Sequence, residues 1–587
     1  MRMIHSTTFA FTSLVLLAPL QALAAEYYVS PTGSDSNPGT LASPFATLQK
    51  GNNTAAAGDT VWMRGGTYNT TGQITLSKSG TSDTNRTKIW AYPGEVPVLN
   101  FSNYSLSSSA SDNPAITVTG SWMHLKGLEI GPAKVGSSGS HSYSLLRTKG
   151  ASNNTFELLN IHNAFGPGLF IDTGNGGNLI LNCDSHDNYD VNGSQGDGQN
   201  GDGFGVHYQT SGPSTTIRGC RAWNDSDDGY DLIYQEVPVI VENSFATGSG
   251  VGSSGNGNGF KMGSSGTGIR HLVQNNVAWN CKAAGFYANH SSGGNTWYNN
   301  TSYNNGTQYN MLASSFAADG RTIATAVITL TGTKVHIMRN NIGFPNRNSN
   351  MTGVDTQFNS WDLGITPAAS DFASISDTGC TGPRQADGSM PAACTFMHLT
   401  AGSRMIDKGT NVGLPFVGAA PDLGAYEFGA ASGGGSGAGG APPGAGGTVS
   451  TGGAGVATGG RMATGGVNST GGVGVTTGGG NGTGGGANAT GGALAATGGV
   501  VAAAGGAVNT GGVAALGSMN NAGGLAGDTG GTSSTGTDVT ITGGAGSSTN
   551  TGSCSCRVAG QPSQSRAWSA LGMLGIVVLR KLRRRRS

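Results

Sequence analysis

What most restricts the folds open to this chain is a pattern that returns at uneven intervals. The segments LNCDSHDN (181–188), RGCRAWND (218–225), ENSFATGS (242–249), QNNVAWNC (274–281), YNNTSYNN (298–305) and MRNNIGFP (338–345) share one plan: a polar turn, then a small residue beside an aromatic or its equivalent. The small residues are Ser185, Ala222, Ala246, Ala278, Ser302 and Gly343, so the intervals by subtraction are 37, 24, 32, 24 and 41. The shortest value recurs, and the others read as that period with loops inserted. About two dozen residues carrying three short strands is what one coil of a parallel β-helix needs.

A second marker, glycine followed by an aromatic, keeps a constant place in each coil: DGFGV (202–206), DGYDL (228–232), NGFKM (258–262) and AGFYA (284–288). The glycine is expected to let the backbone turn tightly. The aromatic is expected to stack inward on the rings of neighbouring coils. Residues 26 to about 428 otherwise alternate short apolar runs with Gly, Asn, Ser and Asp, and show no helical periodicity, which predicts an all-β body. A glycine-rich sandwich with chance similarity is the competing architecture. The explicit repeat favours the solenoid.

The flanking segments are of other kinds. Residues 1–25 read as an export signal, with Arg2, an apolar core from Phe9 to Leu20 and the small residues ALAA at 22–25. That core is too short for a membrane span, so a secreted or surface-held chain maturing near Glu26 is expected. Glycine makes up 104 of 587 residues, and most of the excess follows residue 429. Residues 429–553 are TGG repeats padded with small residues, which cannot bury a core and predict a disordered Gly-rich tether. Residues 554–587 combine a cysteine pair, the apolar stretch Ala567–Leu579 and a terminal Arg cluster. This end resembles the C-terminal surface-sorting tags of myxobacterial proteins, and a tail anchor held to a membrane or cell surface by basic residues is the other reading. Formal net charge is zero and the one dense basic run is 580–586, so no nucleic-acid partner is expected. Export permits disulfides. Cys380 and Cys394 bracket a short loop and are the expected pair, and no cysteine has zinc-ligand spacing with His. The body is expected to be monomeric.

The segment NDSDDGYDLI (224–233) sets Asp225, Asp227, Asp228 and Asp231 within seven positions of a chain that is only 11% charged. Such crowding is costly unless a cation or solvent relieves it. Asp202 precedes Gly203 as Asp228 precedes Gly229, so at the strand spacing of roughly 4.8 Å these two should stack. Asp227 is adjacent and Asp231 lies three residues along, giving four converging carboxylates. Hard oxygens at that density suit calcium. The same alignment places Gly205, Asp231, Lys261 and Tyr287 in one lateral column. A lysine beside a divalent cation should fall below its ordinary value of about 10.4 and become usable as a general base. Calcium on a uronate carboxylate acidifies the proton on the neighbouring carbon. Lys261 would remove it, with β-elimination of the glycosidic oxygen.

The runs HDNYDVNGSQGDGQNGDGFGVH (186–207), IRGCRAWNDSDDGYDLI (217–233) and GNGNGFKMGS (255–264) resemble the family 9 polysaccharide lyases, pectate lyases and related enzymes. The resemblance spans about 26–428 and includes YYVSPTGSDSNPGTLASPFATLQK (27–50), AGDTVWMRGGTY (57–68) and PDLGAYEF (421–428), which many β-helix proteins share. It implies a right-handed parallel β-helix, calcium held by Asp202, Asp227, Asp228 and Asp231, Lys261 as base, and polygalacturonate or pectin as the acidic polysaccharide. The sequence departs from the family pattern where GDGF lacks an Ala before Asp and GYD lacks a Trp. Two other functions remain open: a β-helix glycoside hydrolase using Asp202, Asp227 or Asp228 as acid and base, which leaves Lys261 idle, and a non-catalytic adhesin braced by calcium.

Nearby residues carry weaker expectations. Arg221, Arg270 and Lys282 are candidates for holding an anionic polymer. His186, His207 and His271 could touch it, or simply satisfy turns. Asp225 reads as solvated turn charge, and Asp187 and Asp190 as turn caps. Cys183 and Cys220 share a column, as a disulfide or a ladder of thiols. Asn243, Asn275, Asn276, Asn299 and Asn300 should form stacked amide ladders.

Overall fold

The computed structural model describes residues 24–104, 113–136, 143–193, 195–264 and 266–430. The expected export segment, save its last two residues, the tether beyond 430 and the terminal tag lie outside the described residues. Within them the chain winds into a parallel β-helix. Three long parallel sheets, of 12, 10 and 10 strands, run the length of the body, and each coil adds one strand to each. A typical coil consists of Thr215–Arg218, Arg221–Trp223 and Tyr230–Ile233, and the next of Val239–Glu242, Phe245–Thr247 and Phe260–Met262. The single α-helix among the described residues, Leu48–Thr54, has Thr47 accepting from the Lys50 amide as its N-cap.

The repeat read from sequence is the coil register. Ser185, Ala222, Ala246, Ala278, Ser302 and Gly343 pair in unbroken succession in the second sheet. Phe204, Tyr230, Phe260, Phe286 and Tyr309 do the same in the third. Their rings stack inward with centroids 5.1, 4.5, 4.9 and 5.1 Å apart and planes within 14°. The glycine before each ring has another cause than a tight turn. A Cβ at Gly203, Gly229 or Gly259 would stand 2.7–2.9 Å from the carbonyl oxygen of the equivalent glycine one coil on. Close approach between coils excludes a side chain there, and none of the three has a positive φ.

Corners are built from two adjacent columns. Asn182, Gly219, Asn243, Asn275, Asn299 and Asn340 take left-handed φ values of 52–66°, which Asn and Gly tolerate best. The next residue points inward and forms a ladder. The Cys220 amide donates to Ser244 Oγ (3.0 Å), Ser244 to Asn276 Oδ1 (3.0 Å), Asn276 to Asn300 (3.1 Å), Asn300 to Asn341 (2.9 Å) and Asn341 to Asn359 (2.8 Å). Asn276 and Asn300 thus form the expected ladder, while Asn243, Asn275 and Asn299 turn the chain instead. Cys183 and Cys220 continue this column as buried free thiols. Cys380 and Cys394 form a disulfide. It lies in the arm 360–428, part of which packs against Phe245, Trp279 and Ile342.

Candidate metal and base site

Lys261 reaches the outer face through simple alternation. Phe260 and Met262 are fully buried, so the strand between them must present Lys261 outward. It pairs with Asp231 on one side and Tyr287 on the other, the column Gly205–Asp231–Lys261–Tyr287 anticipated from spacing.

Three carboxylates gather beside it. Asp202, Asp227 and Asp228 each offer an oxygen within 4.8 Å of the others, and all three side chains are buried. The backbone fixes them. The Asp228 amide donates to Asp202 Oδ1 (3.1 Å), the Asn256 amide to Asp227 Oδ1 (2.5 Å), and the Asn258 amide and side chain to Asp228 Oδ1 (2.7 and 2.9 Å). Lys261 Nζ stands 2.9 Å from Asp228 Oδ2 and 3.4 Å from Asp231 Oδ2. His207 Nε2 is also 3.4 Å from Asp231 Oδ2. Burial, then the neighbouring carboxylates, push Asp202 and Asp227 well above the ordinary aspartate value. Three clustered, desolvated carboxylates with one amine beside them form an oxygen-only donor set suited to a hard divalent cation.

Two insertions build this cradle. Loops 190–202 and 250–257 account for the long intervals of 37 and 32, and they are tied to each other. The Ser254 amide donates to the Asp197 carbonyl (2.9 Å) and Ser253 Oγ to the Asp197 carboxylate (3.0 Å). Lys282 Nζ donates to the carbonyls of Gly252, Ser253 and Gly255 at 3.0–3.4 Å, pinning the loop whose Asn256 amide caps Asp227.

Residues 27–329 match the family described as "Pel9A-like, right handed beta helix region". The chain belongs to that family. Pectate lyase L of Dickeya dadantii (strain 3937) is 32% identical over 414 residues, 68% of this chain and 90% of that protein. Pectate lyase L of Paenibacillus polymyxa (strain SC2) is 32% identical over 66% of this chain and 85% of its own length. Among solved structures, pectate lyase Pel9A is 31% identical with a TM-score of 0.58, covering 69% of this chain and 97% of that one. A rhamnogalacturonan lyase is 30% identical with a TM-score of 0.56, covering 64% of this chain and 97% of that one. As a member of this family the chain is a polysaccharide lyase.

Set in this Pel9A-like frame, several expectations change. Asp202, Asp227 and Asp228 form the compact set, and Asp231, the fourth expected ligand, stands beside it with its Oδ2 3.4 Å from Lys261 Nζ and from His207 Nε2. The lowering expected of Lys261 depends on the charge of a bound cation, and the carboxylates by themselves act the other way. Burial works against the lysine's charge, but Asp228, Asp231, Asp227 and Asp202 outweigh burial and hold it well above the ordinary lysine value. Asp225 is fully buried, not solvated: it accepts from the Asn188 amide (3.2 Å) and side chain (2.8 Å) in a second inward ladder. Asp190 is buried too, accepting from Asn200 Nδ2 at 2.7 Å, whereas Asp187 holds a left-handed corner as expected.

The three proposed polymer-holding cations have other work. Arg221 is 2% exposed and clamps Asp184 and the carbonyls of Cys380 and Gly382. Arg270 donates to the Thr333 and Val335 carbonyls, and Lys282 holds its loop. His271 is a ladder residue, bridging the Val239 amide and Gly263 carbonyl, and burial lowers it to about 4. His186 stacks between His162 and Trp223 in the second sheet. His290 went unnoticed in the sequence. Burial, then the charge on Lys261, lowers it, and its Nδ1 lies 2.6 Å from Ser314 Oγ. The 41-residue interval was its only trace, since it brings in the segment carrying Ser314.

Proposed function

We propose that this chain is a secreted or surface-held, calcium-dependent pectate lyase that cleaves polygalacturonate by β-elimination with Lys261 as the base. The observation that carries the reading is the contact of one outward lysine, at 2.9 Å, with the edge of a buried triad of carboxylates. Asp202, Asp227 and Asp228 would hold the calcium, with Asp231 beside them. Calcium there supplies the countercharge for the triad and polarises the carboxylate of a bound uronate.

The remaining chemistry belongs to the protein. Lys261 accepts the proton from the carbon α to the uronate carboxylate. The electron pair of that C–H bond becomes a C=C bond as the glycosidic C–O bond on the adjacent carbon breaks. The Asn256 and Asn258 amides keep Asp227 and Asp228 aimed together, so the amine and the acid oxygens hold fixed positions. No water is consumed, so no second acid pair is required. The surrounding carboxylates by themselves favour the ammonium form of Lys261, which cannot act as a base. The reading therefore requires a cation to offset them and an alkaline optimum to strip the lysine. The disulfide 380–394 accords with export to an oxidising compartment.

Ultraviolet absorbance on polygalacturonate tests it, with rhamnogalacturonan run in parallel. Unsaturated uronide should accumulate with calcium, stop with EDTA, and be absent in Lys261→Ala. New reducing ends without ultraviolet absorbance would mean hydrolysis. Chelation that changed only the melting temperature, with no product on either polymer, would mean an adhesin.

A further inference from the structure

The 41-residue interval between Ser302 and Gly343 contains an antiparallel hairpin, Ser315–Phe316 with Ile323–Thr325, the only antiparallel sheet among the described residues. It does not project away from the solenoid. Its root sits by His290, which bridges to Ala313 and hydrogen-bonds Ser314. At its turn, the Gly266 amide donates to the Gly320 carbonyl at 2.9 Å. At the tip, the Arg321 guanidinium lies over Tyr208 and Tyr234, 5.0 and 5.7 Å from their ring centroids. The hairpin turn thus lies against the coil of Lys261, and the Arg321 side chain extends from it over the rings of the two preceding coils.

The tip connects to the base by contact. Tyr208 and Tyr234 stack at 5.5 Å and 20°. The His207 ring packs edge-on to Tyr208 at 5.8 Å, and its Nε2 faces Asp231, which faces Lys261. Arg321 is exposed and enters no ion pair among the described residues. The nearby Asp319 carboxylate is taken by the Arg321 and Thr322 amides and the Thr322 hydroxyl. A guanidinium held in place by two stacked rings, yet unpaired, stands beside a face whose centre is acidic. A polyanion settling on that face needs such a cation.

We propose that Arg321 is a substrate-binding residue that pairs with the carboxylate of a uronic-acid unit lying toward the N-terminal coils from the unit at Lys261. This rests on the reading of the substrate as a polyuronate. Tyr208 and Tyr234 fix the position of the guanidinium, so its fork is ordered before the polymer arrives.

The test compares the full chain with Arg321→Ala and Arg321→Lys on polygalacturonate in calcium. Arg321→Ala should raise KM about tenfold with kcat little changed, as expected for loss of a binding contact shared by ground and transition states. Arg321→Lys, which keeps the charge and loses the fork, should fall between. An unchanged KM in Arg321→Ala, or a fall in kcat alone, overturns the proposal. Affinity electrophoresis in polygalacturonate gels separates this from the function itself. If the parent makes no unsaturated uronide but Arg321→Ala still weakens retention, the lyase reading fails and the binding role stands. If retention does not depend on Arg321, the role fails whatever the chemistry.

Discussion

Replacing Lys261 by alanine should do two separable things. The lysine is in direct ion-pair contact with both Asp228 and Asp231, and both carboxylates are buried. Removing one member of a buried pair leaves an uncompensated charge, at a cost of about 3–5 kcal/mol. Unfolding entropy of about 2.1 cal/mol/K per residue over roughly 400 folded residues gives about 0.8 kcal/mol/K, so the melting temperature should drop about 4–6 °C. That drop belongs to the chelated protein near neutral pH. Asp202 and Asp227 have folded values raised above their unfolded ones, by burial first. A raised acid binds its proton more tightly when folded, so stability from this cluster is greatest below the ordinary aspartate value and declines as pH rises through the folded one. The penalty in Lys261→Ala should therefore shrink toward pH 4 in EDTA. Saturating calcium, binding only the folded state, should recover most of it at neutral pH. Activity should stay lost throughout. Scanning calorimetry with EDTA and with calcium, paired with the uronide assay, reads both. If calcium leaves the melting temperature of parent and variant unchanged, the triad is not a metal site, and the reasoning collapses with it.

Three further outcomes follow from particular contacts. Lys282→Ala should loosen the loop that presents the Asn256 amide to Asp227 and weaken calcium affinity about tenfold by isothermal titration, the usual scale for a residue one step behind the ligands. Arg221→Ala should lower stability by about 3 kcal/mol in guanidinium titration while KM stays put, because it supports buried Asp184 rather than the polymer; a raised KM at unchanged stability would restore its place in the groove. His271 and His336 are held by burial at about 4 and about 3. Their lowered values mean the unfolded chain takes protons first, so stability should decline as pH falls below about 6.5, and His271→Asn should flatten that decline in a pH series of melts.

The solenoid was legible because its strands obey one rule each turn. A column of small residues survives the whole run from the Ser185 coil to the Gly343 coil and a column of rings runs from Phe204 to Tyr309, so counting residues fixed the register that pairs Asp231 with Lys261. What counting could not supply was depth. Asp225 and Asp227 are two residues apart with the same side chain, yet one closes an inward ladder with Asn188 and the other faces the cradle. Arg221 looked available because its strand alternates, but the arm 380–394 returns over that face and takes its guanidinium. That contact joins residues 159 positions apart, beyond the reach of any local pattern. Lys261 shows a third limit. Its position followed from register, but its protonation depends on the balance between four carboxylates and a cation, which position alone does not set.

The uneven intervals explain why chemistry resides at one place on an otherwise repetitive body. Coils of the basic 24-residue period hold their backbone in ladders of inward Asn and stacked rings, and the one from Ala222 to Ala246 supplies Asp227, Asp228 and Asp231, but none of them completes the site alone. The long intervals flank the third sheet: the first two insert loops just before its strands Phe204–Ser211 and Phe260–Met262, and the last inserts its hairpin just after Thr307–Asn310. The first, of 37, contributes loop 190–202 and Asp202; the second, of 32, contributes loop 250–257 and the Asn256 amide; the third, of 41, contributes the hairpin that ends at Arg321. The rigid coils set the spacing of Asp228, Asp231 and Lys261 to strand precision, and the loops add the pieces that a strand cannot, amides aimed at carboxylates and a cation beside the face. A loop tethered at both ends to a ladder loses little order when a ligand arrives, so binding energy is not spent on folding it. By this logic shortening loop 250–257, rather than altering any carboxylate, should be enough to abolish metal binding while leaving the ladders, and hence the fold, in place.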